Sequence, residues 1–152
     1  EISCGLDVHK DKIVACILPS PLGKPTNSEI REFTTLIPDM AALRDWIVSQ
    51  NCHHVAMEST GICWMPIYEI LEAAFAGDIT LQVVNARHMK NVPGKKTDMR
   101  DSEWISTLLR AGLLNGSFIP EKRIREFRDL NRYRKSVIRD ITSQKNRVEK
   151  FL

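Results

Sequence analysis

The sequence predicts an α/β fold, in which a mixed five-stranded sheet is covered by helices and followed by a long basic helix. Three observations predict it. Strand-like runs of alternating apolar residues open the chain, helical and strand-like segments alternate after them, and positions 121–152 contain neither Gly nor Pro. A hairpin-led opening pairs strands antiparallel, whereas alternation with helices is typical of parallel strands, so we expect a mixed sheet.

The strands are predicted from the period-two alternation of apolar residues. In the first strand, Gly5 and Asp7 share one face, while the apolar residues Cys4 and Leu6 occupy the other. Because Gly5 has no side chain, it leaves space on the face that carries Asp7. The predicted strands are Ile2–Val8, Lys12–Leu18, Ile30–Thr35, His53–Met57 and Ile79–Val84.

The helices are predicted from apolar residues at three- and four-residue spacing. Ser59 or Thr60 is expected to cap the second helix, and Gly112 to end the third. The predicted helices are Pro38–Gln50, a segment from Ser59 or Thr60 to about Ala76, a segment from Thr97 or Asp98 to Ala111, and positions 121–152. This order of elements is that of the ribonuclease H-like fold.

The composition predicts an ordinary globular protein. Its 152 residues, 43% hydrophobic and 27% charged, suffice for one domain with a core. No apolar run approaches the roughly 18–20 residues of a membrane span, and the N-terminus lacks the features of a signal peptide. No two of the four cysteines form a Cys-x-x-Cys pair, so we expect reduced thiols in a cytoplasmic protein without a membrane partner. Because the chain starts without Met and stops within a helical pattern, we expect a piece of a longer protein.

The net charge of +3 is unevenly distributed. Positions 121–152 carry 11 Lys and Arg against 5 Asp and Glu, which leaves 11 basic and 14 acidic residues in the rest of the chain. A basic segment is typical of a protein with a polyanionic partner, but charge alone is equally consistent with a solvated helix face.

Four carboxylates give the strongest functional signal. Asp7 and Glu58 lie near the ends of predicted strands, while Asp98 and Asp101 lie three residues apart at a predicted helix start and so share a face. Each alone has a simpler explanation, as a turn residue or a helix cap. In the predicted fold all four converge, and converging carboxylates commonly hold hard cations. The sequence therefore predicts two Mg²⁺ or Mn²⁺ ions and two-metal phosphoryl transfer on nucleic acid.

Three further features leave alternatives open. Lys95 and Lys96 precede the acidic helix start, where they either meet phosphates beside the metals or form a solvated loop. His9 is interpreted as a lone structural or exposed histidine. The last helix carries an apolar seam that predicts either a coiled coil or packing on its own domain. The seam comprises Phe127, Leu130, Val137, Ile141, Val148 and Phe151, interrupted by Arg134 and Gln144.

At three motifs the sequence resembles the N-terminal domain of the IS110-family transposases, also called DEDD transposases, which include the Piv-type DNA invertases. The matching motifs are Gly5-Leu6-Asp7-Val8-His9-Lys10, Met57-Glu58-Ser59-Thr60-Gly61 and Lys95-Lys96-Thr97-Asp98-Met99-Arg100-Asp101-Ser102. Each motif is short, but their order and spacing together are specific. The resemblance spans nearly the whole chain.

The resemblance implies a RuvC-like ribonuclease H fold and Mg²⁺-dependent DNA strand cleavage and exchange. It implies a metal site of Asp7, Glu58, Asp98 and Asp101, a basic coiled coil, homo-oligomerisation, and a structured non-coding guide RNA. The residues expected to contact nucleic acid are Lys95, Lys96, Arg100, Arg125, Arg128, Arg132 and Arg139.

The family also has a C-terminal domain with a nucleophilic serine, to which no residue of this chain corresponds. We therefore expect a catalytic domain at positions 1–114, a linker at 115–120, and the start of the basic helical segment at 121–152. Two other functions fit the same features. One is a junction-resolving endonuclease of the RuvC type, and the other is a non-catalytic module that binds nucleic acid or dimerises.

Overall fold

The computed structural model describes residues 2–19, 27–58, 61–75, 77–85, 87, 89 and 101–151. Contacts divide the chain into two compact units, Glu1–Ser117 and Phe118–Leu152. Across the ranges that the structure describes, no helix is long and apolar enough to cross a membrane.

The first unit is built on a five-stranded sheet in the order β3-β2-β1-β4-β5. The pairs β1–β2 and β2–β3 are antiparallel, whereas β1–β4 and β4–β5 are parallel. The predicted mixed sheet is therefore confirmed. Its strands are β1 (Ser3–Val8), β2 (Lys12–Leu18), β3 (Glu29–Thr34), β4 (His54–Glu58) and β5 (Thr80–Val84).

Helices α1 to α4 accompany the sheet along the chain. They are α1 (Ile37–Ser49), α2 (Trp64–Phe75), α3 (Asp101–Arg110) and α4 (Lys122–Glu149). The end of α3 agrees with the prediction. Gly112 has φ +69°, and the amide of Leu113 donates to the carbonyl of Leu108 at 3.0 Å, as a left-handed helix stop requires.

The start of α2 differs from the prediction. A helix capped by Ser59 or Thr60 would begin with the next residues, but α2 begins only at Trp64. Gly61 has φ +58°, which no α-helix accommodates, so a turn at positions 61–63 separates β4 from the helix. Ser59 and Thr60 themselves lie outside the described ranges.

Helices cover both faces of the sheet. Toward α3, a buried apolar cluster joins Ala56 of β4 and Val84 of β5 to Trp104, Ile105 and Leu108. Cys4 and Leu6 of β1 alternate onto the opposite face and are fully buried. The neighbouring helices α1 and α2 cover that face with buried side chains that include Leu43, Ile47, Ile67 and Leu71. The carboxyl end of β1 thus lies between two packed layers.

Candidate active site

A close approach of α3 to β1 positions the site. A Cβ atom at Gly5 would lie 2.5 Å from the amide nitrogen of Ser106 and 3.1 Å from Cβ of Ile105, and it would collide with the carbonyl oxygen of Ser102. Two of these atoms belong to the helix backbone, which cannot rotate away. Only glycine at this position lets the helix backbone rest directly on the strand.

A buried pair of serines fixes the direction of α3 along β1. The Ser106 hydroxyl donates to the carbonyl oxygen of Ser3 at 2.9 Å, and the two hydroxyl oxygens lie 2.9 Å apart. Ser106 thus lies beside Ser3, and Ser102, one turn earlier, lies beside Gly5. Continuing in this direction, the helix start at Asp101 lies toward the end of β1 that carries Asp7.

Glu58 is the neighbour of Asp7 in the sheet. The parallel register of β1 and β4 pairs Gly5 with Ala56 and Leu6 with Met57, so Asp7 is next to Glu58 at the carboxyl ends of the two strands. Register partners project from the same face of a sheet. Because Ala56 belongs to the cluster packed on α3, Glu58 projects on the α3 side as well.

His9 contacts Asp7 directly. Its Nε2 atom lies 3.0 Å from Oδ2 of Asp7, whose side chain is 17% exposed, while the His9 side chain is 57% exposed. The amide of His9 also donates to the carbonyl of Lys12 at 2.9 Å, which closes the β1–β2 hairpin. The sequence interpretation of His9 as a lone histidine missed this contact, although the two-residue spacing is the signal that would have indicated it.

The described carboxylates fit a hard divalent cation by their chemistry. Asp7, Glu58 and Asp101 offer only oxygen atoms, the ligands that Mg²⁺ and Mn²⁺ prefer, and they come from three elements that meet at one edge of the sheet. Asp98, the fourth predicted ligand, lies outside the described residues. Among the side chains that the structure describes, no group of three or more His, Cys, Asp or Glu is close enough to hold a metal ion.

The residues predicted to contact nucleic acid fall into two sets. Lys95, Lys96 and Arg100 lie outside the described ranges, whereas the other four lie on α4. There, Arg128, Arg132 and Arg139 are exposed.

Arg125 differs from the other arginines of α4. It is 8% exposed, and its Nη1 atom donates to the carbonyl oxygen of Pro120 at 2.8 Å. Its guanidinium is therefore already engaged at the start of the helix, which makes a structural role of Arg125 the simpler explanation of its position.

The thiols are not part of this site. Cys4, Cys16 and Cys52 are buried free cysteines, and Cys63 is partly exposed. Burial raises the pKa of Cys16 to about 12 and that of Cys52 to about 11, and it raises the pKa of Cys4 well above its usual value. The three buried thiols are therefore protonated at neutral pH and pack as small apolar groups.

The sheet order and the position of α3 define the ribonuclease H-like fold of RuvC. The structure of Thermus thermophilus RuvC matches with a TM-score of 0.53 and 11% sequence identity, over 77% of this chain and 100% of that chain. The fowlpox virus Holliday junction resolvase matches more weakly, with a TM-score of 0.45 and 16% identity over 56% of this chain and 61% of that chain.

The family follows from the sequence. The model of the DEDD-type IS110 family, described as a transposase, matches residues 4–152. The chain belongs to this family. Comparison with curated proteins gives no match.

Proposed function

We propose that this chain is the metal-dependent catalytic domain of a transposase that cleaves and exchanges DNA strands. In this proposal positions 1–114 form the catalytic domain, and positions 115–120 link it to the basic helical segment at 121–152. The observation that carries the proposal is the placement of Asp7 beside Glu58 at the carboxyl ends of two parallel strands, with the start of α3 directed to the same edge by Gly5.

Asp7, Glu58, Asp98 and Asp101 would hold two Mg²⁺ or Mn²⁺ ions. When bound, such a pair supplies activation of the attacking oxygen and stabilisation of the leaving oxygen in an in-line displacement. We assign Asp7 the central position in the proposed site, because the β1–β4 register directs it toward Glu58 and because it shares the face of β1 on which Gly5 meets α3. The hydrogen bond from His9 to Oδ2 holds the Asp7 carboxylate in one orientation, as partners of metal ligands commonly do.

DNA is the proposed substrate, and the exposed arginines of α4 are proposed to contact its backbone. Arg128, Arg132 and Arg139 lie four and seven residues apart and therefore form one basic stripe along the helix. The resemblance to the family further supports a structured guide RNA and a homo-oligomer in the complete protein. The free thiols support a reducing, cytoplasmic location.

Calorimetric titration with Mn²⁺ tests the metal site. We expect the wild-type chain to bind Mn²⁺, and Asp7→Asn and Asp101→Asn each to lose that binding because both remove an oxygen ligand from one site. Asp45→Asn is the matched control, since Asp45 is an exposed aspartate of α1 that pairs with Arg44 at 2.7 Å. It should bind like the wild type.

The same titration contains the result that would reject the proposal. If wild type binds no Mn²⁺ even in the presence of a DNA duplex, the four acids do not form a metal site. If Asp7→Asn or Asp101→Asn retained full Mn²⁺ binding, the substituted residue would not be a metal ligand. In both cases a non-catalytic module that binds nucleic acid becomes the better explanation.

The RuvC fold favours one alternative activity, the resolution of branched DNA. Such an enzyme would cut a four-way junction symmetrically in Mn²⁺ without any RNA. We expect the transposase domain not to do so. Efficient junction cleavage by this chain alone, lost in Asp7→Asn, would assign it to the resolving endonucleases instead.

A further inference from the structure

The connection between β1 and β2 carries His9, whose side chain contacts Asp7. The pairing of His9 with Lys12 leaves Lys10 and Asp11 as the two central residues of this hairpin loop. A two-residue loop matches the twist of its strands best when its first central residue, or both, have positive φ. Neither Lys10 nor Asp11 has a positive φ. The course of this loop therefore depends on contacts from outside the hairpin.

One such contact comes from the connection between β3 and α1. The hydroxyl of Thr35 donates to the carbonyl oxygen of Lys10 at 2.8 Å, across 25 residues of sequence. The register of β2 and β3 pairs Lys12 with Thr34. Thr35 is therefore the first residue beyond the paired strands, at the level of the hairpin loop.

The segment that carries Thr35 is itself fixed by hydrogen bonds. The amide and the hydroxyl of Thr34 donate to Oδ2 of Asp39 at 3.2 Å and 2.5 Å. The amide of Leu36 donates to the Thr34 hydroxyl oxygen at 3.3 Å, directly before α1 begins. Because these bonds join the segment to the first turn of a packed helix, the Thr35 hydroxyl can hold the Lys10 carbonyl in place.

We propose that Thr35 is a positioning residue of the candidate site. Its hydroxyl fixes the Lys10 carbonyl, and with it the loop from which His9 orients the Asp7 carboxylate. The functional part of this inference rests on the metal site proposed above, because an oriented carboxylate binds a cation more tightly than a mobile one. The link from Thr35 to His9 does not require metal and is measurable without it.

Calorimetric titration with Mn²⁺ tests the functional part. Thr35→Val removes the hydroxyl and keeps the shape, so the affinity should fall by roughly 3- to 10-fold, the factor that one hydrogen bond contributes. Thr35→Ser keeps the hydroxyl and should bind Mn²⁺ like the wild type. Thr142→Val is the matched control, since the Thr142 hydroxyl also donates to a backbone carbonyl, that of Ile138 at 2.9 Å, but does so on α4. It should leave the affinity unchanged.

A double-mutant cycle separates positioning from general stabilisation. If Thr35 acts through His9, Thr35→Val should weaken Mn²⁺ binding by less than about twofold once His9→Ala has removed the contact with Asp7. Equal weakening in the two backgrounds would overturn the proposal, because the hydroxyl would then act by a route that does not include His9.

Hydrogen exchange of the metal-free chain tests the link itself. The His9 amide donates to the Lys12 carbonyl at 2.9 Å, so its exchange rate reports opening of the hairpin end. Thr35→Val should raise that rate by at least roughly threefold, while amides in the centre of the sheet exchange as in the wild type. Thr35→Ser and Thr142→Val should leave the His9 rate unchanged.

The two measurements distinguish the two proposals. Unchanged exchange at His9 in Thr35→Val would overturn the positioning role, whether or not the chain binds Mn²⁺. Wild-type Mn²⁺ affinity in Thr35→Val would also overturn it and would leave the metal site in place. Faster exchange at His9 in a chain that binds no Mn²⁺ would support the link from Thr35 and reject the metal site alone.

Discussion

Replacing Gly5 by alanine tests how the site is positioned. The new Cβ would lie 2.5 Å from the Ser106 amide nitrogen and closer still to the Ser102 carbonyl oxygen, whereas ordinary contact begins at 3.4 Å, so α3 must move away from β1 by at least about 0.9 Å. Because the crowded atoms belong to the helix backbone, no rotation of a side chain can relieve the collision. The movement separates the start of α3, and with it Asp101, from Asp7.

Two costs add in this variant. Overpacking a tight contact costs about 1–3 kcal/mol, and disruption of the buried Ser3–Ser106 hydrogen bonds costs about 1–3 kcal/mol more. We therefore expect the free energy of unfolding in urea to fall by roughly 2–6 kcal/mol. A shift of this size in one ligand should also weaken Mn²⁺ binding, since displacements near 1 Å strongly reduce the function of a pre-organised site.

Gly116→Ala is the matched control. A Cβ at Gly116 would meet only the Gln82 side chain, at 3.4 Å from its Cγ, and that side chain can adjust. This variant should lose less than about 1 kcal/mol and bind Mn²⁺ normally. The reasoning is refuted if Gly5→Ala is as stable as Gly116→Ala, because α3 would then not rest on β1 in the way that positions Asp101.

Two further predictions concern the thiols and the basic stripe. Alkylation at neutral pH should modify Cys63 and spare the buried thiols. Because burial raises the pKa of Cys16 from 9.0 to about 12, its contribution to stability is complete below pH 9 and is lost as the pH rises toward 12, at up to about 1.4 kcal/mol per pH unit. Cys16→Ala should flatten that alkaline loss, and an unchanged slope would contradict the assigned cause. On the basic stripe, Arg132→Gln should reduce the slope of log Kobs against log salt for duplex DNA by about 1. Lys12→Gln, which removes an exposed charge from the sheet, should leave the slope unchanged. Equal slope changes in the two variants would argue against contact between the stripe and the DNA backbone.

The local pattern of the chain determined most of its secondary structure. Alternation in Ile2–Val8 predicted both β1 and the shared face of Gly5 and Asp7, because strand side chains alternate regardless of their surroundings. The boundary of α2 was missed by several residues, since the positive φ of Gly61 allows a turn that composition does not show. The stop at Gly112 was predictable because it depends on local backbone freedom alone.

Some features of the candidate site were likewise predictable from the sequence, and others were not. The sequence alone identified the family and predicted the four acids as metal ligands, because motif order and spacing are properties of the chain. Only the tertiary structure decided that the β1–β4 register directs Asp7 toward Glu58, that Ser3 and Ser106 join β1 to α3 by hydrogen bonds, and that His9 contacts Asp7. These facts depend on contacts between segments as far as 103 residues apart. Such contacts arise from tertiary packing, which no local pattern specifies. A strand or a helix has the same internal pattern wherever it packs in the fold.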